Sequence, residues 1–203
     1  PRVAGQGLNA LRAAGIEVEV GVCEDEAHAL NRGYLKRLSD GLPLVTLKTA
    51  ITTDGRIATE SGESQWITGA ESRAEAHRLR ADHDAIAVAS ATALADDPEL
   101  TCRLPGMRGR SPVRVLLDAH LRVPTDAKLY ATADAVPLWV FSAVPSDDPK
   151  VLERTKTGAE HFTVATDGSG HGVNLRQSFG QLAERGITRL LAEAGGMLAS
   201  ALL

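Results

Sequence analysis

Arg73, His77 and Arg80 stand at positions i, i+4 and i+7, so on a helix they share one face. Such a cationic stripe can grip a phosphate through charge-assisted hydrogen bonds, Arg being suited to the two-point contact. A solvated helix face, balanced by Glu71 and Glu75, is the alternative reading. Glu193, followed by Ala194-Gly195-Gly196, sets a carboxylate at the end of a strand and glycines at the start of a helix. The acid can accept from a sugar hydroxyl, and the glycines let backbone N–H groups close on a phosphate. An ordinary strand-to-helix turn has the same spelling. In the run from Thr92 to Arg103, the paired acids Asp96-Asp97 before Pro98 mark a turn or a helix end. A polar loop at a strand's carboxyl end is also where α/β proteins hold ligands, and spacing leaves both readings open. Trp66 sits in a polar, glycine-flanked loop, where it could cover a flat ring or a cofactor instead of filling a core.

Other chemistries find no support. Gly168-Ser169-Gly170-His171-Gly172 imitates a dinucleotide fingerprint, but Val173 stands where the third glycine belongs and Asp167 and Asn174 flank the run. It reads as a surface loop. The six histidines form no HxxxH or HxE pattern, and Cys23 and Cys102 have no CxxC spacing. No metal is expected, and two buried free thiols are. The net charge of −4 offers no basic surplus for nucleic acid. No apolar run approaches the ~18 residues of a membrane helix, and no secretory leader is recognisable, so neither a nucleic acid nor a membrane is expected as partner and a cytoplasmic location is. With only 3% aromatic residues, the core must rest on Val, Leu, Ile and Ala.

Elements must position these side chains. Periodicity predicts helices over 8–14, ended by Gly15, and over 24–38, with an alternating strand over 16–20 between them. Asp40-Gly41-Leu42-Pro43 breaks the chain. A strand follows over 44–50, then the turn Thr53-Asp54-Gly55-Arg56. A helix is expected from Thr68 to about Ala81, with Thr68 and Glu71 as a capping box. Strands are predicted over 85–89, 113–118, 138–142, 161–165 and 188–193, and helices over 148–155 and 175–185. Alternating strands and helices imply α/β architecture with a mostly parallel central sheet. The chain opens on Pro1-Arg2 and stops on Ala201-Leu202-Leu203 inside an apolar pattern, so a piece of a longer chain is expected.

An ordered set of motifs carries a resemblance. Val45-Thr46-Leu47-Lys48, Asp54-Gly55-Arg56-Ile57-Ala58, Gly62-Glu63-Ser64-Gln65-Trp66-Ile67-Thr68, Leu79-Arg80-Ala81, Leu94 through Arg103, Pro112 through Asp118 and Glu193-Ala194-Gly195 occur in sequence. Together they resemble the reductase domain of the bifunctional riboflavin-biosynthesis deaminase/reductases. Val3-Ala4-Gly5-Gln6-Gly7, Ala14-Gly15-Ile16-Glu17-Val18 and Leu30-Asn31 look like the end of that family's deaminase domain. The resemblance implies residues 1–41 as a helix-strand-helix remnant of a cytidine-deaminase-like domain plus linker. Residues 42–203 would then be a three-layer domain similar to dihydrofolate reductase, truncated at its C-terminus. The deaminase zinc motifs HxE and PCxxC are absent from the sequence, so no deaminase activity is expected of the chain.

The implied reaction is NADPH-dependent reduction of the ribosyl group of 5-amino-6-(5-phosphoribosylamino)uracil to the ribitylamino product. The family's pattern puts Ser64, Arg80, Leu100, Arg103 and Glu193 at the substrate. It puts Ala50, Trp66, Thr92, Asp96, Gly195 and Gly196 at the NADPH, with Lys48 a tentative catalytic group. Ala89 and Ala194 stand where many relatives have glycine. Relatives also continue past the position of Leu203 with further strands, whose loss would expose a sheet edge, and they are similar in forming homodimers through this domain. A pterin reductase of the same fold and a non-catalytic NADPH-binding or assembly module are the rival readings. Paired cations at Arg80 and Arg103 favour a phosphosugar over a pterin.

Overall fold

Alternation within short apolar runs decides the architecture. The computed structural model describes residues 5–59 and 67–203. Its strands β1 (Leu44–Lys48), β2 (Ala85–Ala89), β3 (Val113–Leu117), β4 (Leu138–Ser142), β5 (Glu160–Thr163) and β6 (Arg189–Glu193) form one sheet in the order β1-β6-β2-β3-β4-β5. Every neighbouring pair is parallel. Parallel neighbours cannot be joined by tight hairpins, so the chain crosses back over the sheet between strands. The helices are α1 (Gln6–Ala13), α2 (Glu24–Asp40), α3 (Ala70–Ala81), α4 (Ser90–Asp96), α5 (Lys128–Ala131), α6 (Pro149–Thr155), α7 (Leu175–Glu184) and α8 (Gly196–Leu202).

Successive strand residues enter opposite layers. Ile86, Val88, Leu116, Val140 and Leu191 pack with Leu79 of α3, Ala93 of α4, Leu129 and Tyr130 of α5 and Val151 of α6. Ala85, Ala87, Val115, Phe141 and Leu190 pack on the other side with Phe179 and Leu182 of α7 and Leu198 of α8. With both faces covered, the inner strands can be apolar throughout. The expected three-layer α/β architecture of the dihydrofolate-reductase type is the one observed, and the sheet is wholly parallel among the described residues.

Two polar devices hold this frame. Asp84 accepts from the Thr188 N–H and O–H, both at 2.7 Å, and from the Arg189 N–H at 2.9 Å, which fixes the start of β6 beside β2. Arg114, a fully buried cation on β3, donates to Thr132 Oγ1 (2.7 Å), to the Thr132 carbonyl (3.0 Å) and to the Val136 carbonyl. Burial pushes its guanidinium down to about 10, which leaves it cationic at neutral pH.

Several expectations need correction. Residues 16–20 form no strand. Ile16 and Val20 are exposed, and no described strand lies alongside to complete a ladder. The capping box at Thr68 is absent: α3 begins at Ala70 behind Gly69, with no side-chain cap, and the Thr68 carbonyl instead accepts from Arg73 Nη1 at 2.7 Å. Cys102 is buried but Cys23 is exposed, because it precedes α2 where no layer covers it. The Gly168 run, as expected, is a surface loop, with Asp167 accepting from the Ser169 N–H at 3.0 Å. Helices α4 and α5 are too short for periodicity to announce them.

Candidate functional site

The adjacent strands β1, β6 and β2 end together, and their last residues are Lys48, Glu193 and Ala89. Lys48 and Glu193 are register partners. Beyond these carboxyl ends lies an open cavity of about 1190 Å³. Lys48, Arg80, Leu100, Arg103 and Glu193 line it, as do Ala50, Thr92, Asp96, Gly195 and Gly196. Every described residue that the sequence singled out for substrate or cofactor therefore meets in one space. Ser64 and Trp66 lie outside the described residues.

The charged wall is built from α3, the end of β6 and the loop after α4. Arg80 closes on Glu193 with two hydrogen bonds, Nε to Oε1 at 2.7 Å and Nη2 to Oε2 at 2.9 Å, while its Nη1 donates to the Thr101 carbonyl at 3.0 Å. The sequence treats Arg80 as a phosphate grip, whereas the structure spends much of its fork on this carboxylate. Burial by itself would raise the Glu193 pKa. The Arg80 hydrogen bonds and charge outweigh it, with Lys48 adding to them, and hold the acid below the usual glutamate range. Arg103 is exposed and pairs with Glu99 at 3.4 Å. His77 also lines the cavity, and its Nδ1 accepts the Arg103 backbone N–H at 3.3 Å. Burial first, then the charges of Arg80 and Arg103, lower its pKa, so the ring is neutral at neutral pH.

Small residues also line the cavity: Ala89, Ala91, Thr92, Ala95, Gly195 and Gly196. Gly195 is packed so closely that an added Cβ would meet Thr92 Oγ1 at 3.1 Å. Among the described residues no side chain caps α8, and its first amides are helix-terminal donors. The residues present fit a dinucleotide: small residues that let the backbone come close, and cations lining the same space. The volume exceeds the ~300–1,000 Å³ of an ordinary ligand pocket, which suits a cofactor and a second ligand together.

A strained loop borders the cavity. Asp97 has φ 38° and Leu100 has φ 56°, conformations that cost roughly 1–3 kcal/mol each in residues other than glycine. The surroundings hold them. Asp97 Oδ1 accepts the Lys128 N–H at 2.8 Å, and its Oδ2 pairs with Lys128 Nζ at 3.4 Å. The Leu100 side chain is buried among the core residues beside α4. Asp96 ends α4 and lines the cavity with Asp97, so the paired acids mark a helix end in a loop that borders the site. Lys128 lines the cavity as well. The sequence reading missed it, since only the contact with Asp97 brings the start of α5 to the site.

Comparisons with known proteins agree on one family. The family model described as RibD C-terminal domain matches residues 43–203. The riboflavin biosynthesis protein RibD of Bacillus amyloliquefaciens is 42% identical over 195 residues, covering 96% of this chain and 51% of that protein. Among solved structures, Acinetobacter baumannii RibD superposes with a TM-score of 0.83 at 36% identity, covering 100% of this chain and 54% of that one. A diaminohydroxyphosphoribosylaminopyrimidine deaminase/5-amino-6-(5-phosphoribosylamino)uracil reductase from Thermotoga maritima does so with a TM-score of 0.79 at 31% identity, covering 98% and 52%. The chain thus spans about half the length of the relatives it matches. By motif, fold and match alike, it belongs to the RibD C-terminal domain family.

Proposed function

We propose that the cavity binds NADPH beside 5-amino-6-(5-phosphoribosylamino)uracil, and that the chain reduces the ribosyl group of that substrate to the ribitylamino product. The single observation carrying this reading is the convergence of the described candidate residues on one cavity lined by charged and small residues. NADPH, when bound, supplies the hydride, and the protein's task is placement. Holding two reactants in contact contributes roughly 7–11 kcal/mol toward the barrier. Ala50, Thr92, Asp96, Gly195 and Gly196 hold the cofactor. Arg80, Leu100, Arg103 and Glu193 hold the substrate, Arg103 toward its phosphate and Glu193 toward its sugar hydroxyls. Lys48, the register partner of Glu193, is a cation at the floor, suited to stabilise negative charge developing on a sugar oxygen. Ser64 and Trp66 belong to the same sites by resemblance.

Residues 42–203 constitute the reductase domain in this reading. Residues 1–41 are the tail of a deaminase domain plus linker, and the intact protein is a cytoplasmic homodimer. No helix among the described residues is long and apolar enough to cross a membrane.

The test is NADPH oxidation by the purified chain with and without the phosphoribosylaminouracil. Substrate-dependent oxidation, lost in Arg103→Ala, is expected. NADPH binding with no oxidation in any extended version of the chain favours a non-catalytic module, and oxidation with a dihydropterin instead favours a pterin reductase.

A further inference from the structure

Several buried groups hold the turn after β3. Asp118, fully buried, accepts the Val123 N–H on Oδ2 at 2.8 Å. Arg154 of α6, also buried, donates to the Leu121 carbonyl at 2.9 Å and to the Val123 carbonyl at 2.8 Å. Leu121 has φ 52° with its side chain buried, a conformation that a residue other than glycine keeps only where its surroundings over-determine it. The turn so fixed presents Arg122 outward, with 52% of its side chain exposed. Arg122 Nη2 donates to the Ser90 hydroxyl at 2.6 Å, and Ser90 stands between Ala89 and Ala91, which both line the cavity. The guanidinium is therefore pinned at the rim of the cavity, where β2 and β3 end side by side.

We propose that Arg122 recognises the phosphate on the adenosine ribose of NADPH and thereby sets a preference for NADPH over NADH, which lacks that phosphate. The proposal rests on the cofactor reading above and assigns Arg122 a role that the motifs do not. Strand order supplies the direction. In that reading the hydride donor and the sugar meet beside Lys48 and Glu193, at the ends of β1 and β6. The sheet stops at β1 on one side, so the rest of an extended cofactor runs the other way, past Gly195, Ala89 and Ala91, toward the end of β3. Two strand spacings, roughly 10 Å, separate β6 from β3, a distance that a dinucleotide spans. Among the described residues the one hydrogen bond of the Arg122 side chain goes to Ser90, which leaves most of its five N–H donors for a phosphate. Asp118 Oδ1 lies 4.0 Å from Arg122 Nε, and its side chain has no exposed surface. It therefore orients the guanidinium without meeting the ligand. An arginine so placed accommodates the ribose phosphate that distinguishes the two coenzymes.

The experiment is fluorescence titration of the chain with NADPH and with NADH, without substrate, on wild type, Arg122→Gln and Arg122→Lys. Thermal melts verify that the variants fold. Wild type is expected to bind NADPH about 10–100-fold more tightly than NADH, the size of one charge-assisted hydrogen bond. Arg122→Gln is expected to lose that factor for NADPH with NADH binding unchanged, and Arg122→Lys, which keeps the charge, to retain part of it. Equal weakening of both coenzymes reduces Arg122 to a prop for Ser90 and overturns the proposal. An undiminished preference in Arg122→Gln, or equal affinities in wild type, overturns it as well, and each of these results leaves the reductase reading intact. Wild type that binds neither coenzyme overturns the cofactor reading itself, and this inference with it.

Discussion

Arg80 and Glu193 face each other across the floor of the cavity in a two-point ion pair, with 12% and 14% of their side chains exposed. One residue comes from a helix and the other from a strand end 113 positions later, so the pair ties the outer layer to the sheet as well as lining the site. A substrate entering here meets an arginine and a carboxylate that already satisfy each other. It must share their remaining hydrogen-bonding capacity.

Breaking that pair from one side leaves a largely buried charge. Arg80→Ala is therefore expected to cost about 3–5 kcal/mol of stability, read from urea denaturation. A double replacement by apolar residues of similar size should recover much of the loss, since no unpaired charge remains. Equal stabilities of Arg80→Ala and wild type would mean the pair is absent in solution.

The same pair makes stability acid-sensitive. The Glu193 pKa is lowered in the folded chain, burial being outweighed by Arg80. Its contribution is complete above the ordinary glutamate value of 4.5 and is lost as pH falls through the lower folded value. The stability difference between wild type and Glu193→Gln should thus be constant near neutrality and shrink below about pH 4.5. A difference that stays level down to about pH 3 would assign it to packing rather than charge.

Gly33 is the buried residue of α2, and a Cβ there would meet the Thr188 carbonyl oxygen at 2.8 Å and Arg189 Cγ at 2.9 Å. Arg37 Nε, one turn on, donates to the Ala183 carbonyl. Helix α2 is thereby seated on the turn that leads into β6, although the family match begins only at residue 43. Gly33→Val should cost about 1–3 kcal/mol, the usual penalty of forced overpacking, and lower the melting temperature. Surface glycines with open space around them, such as Gly109, should tolerate alanine with little change.

The two cysteines should separate cleanly in a thiol-labelling time course. Cys23 is exposed and Cys102 buried, so one thiol per chain is expected to react at once and the second only on unfolding. Fast reaction of both would show that the segment 101–103 opens in the native state.

Much of this protein could be read in its sequence, for reasons that differ by element. The strands at 85–89 and 138–142 were legible because apolar runs bounded by turn residues bury on both faces wherever the sheet lies. The patterns over 148–155 and 175–185 mark α6 and α7, whereas the capping box expected to start α3 does not form. Arg80, Leu100, Arg103, Thr92, Asp96 and Glu193 were named from motifs whose order along the chain is itself information. Residues 16–20 alternate as a strand does, yet pairing requires a neighbour that periodicity cannot supply. Tertiary structure alone decided that β6 inserts between β1 and β2, which carries Glu193 to Arg80 and Lys48. It alone brought Lys128 to Asp97 and turned His77 toward Arg103. Local spacing states which groups share a face, whereas who meets across the cavity depends on long-range strand order, and that is settled only when both faces of the sheet are buried at once.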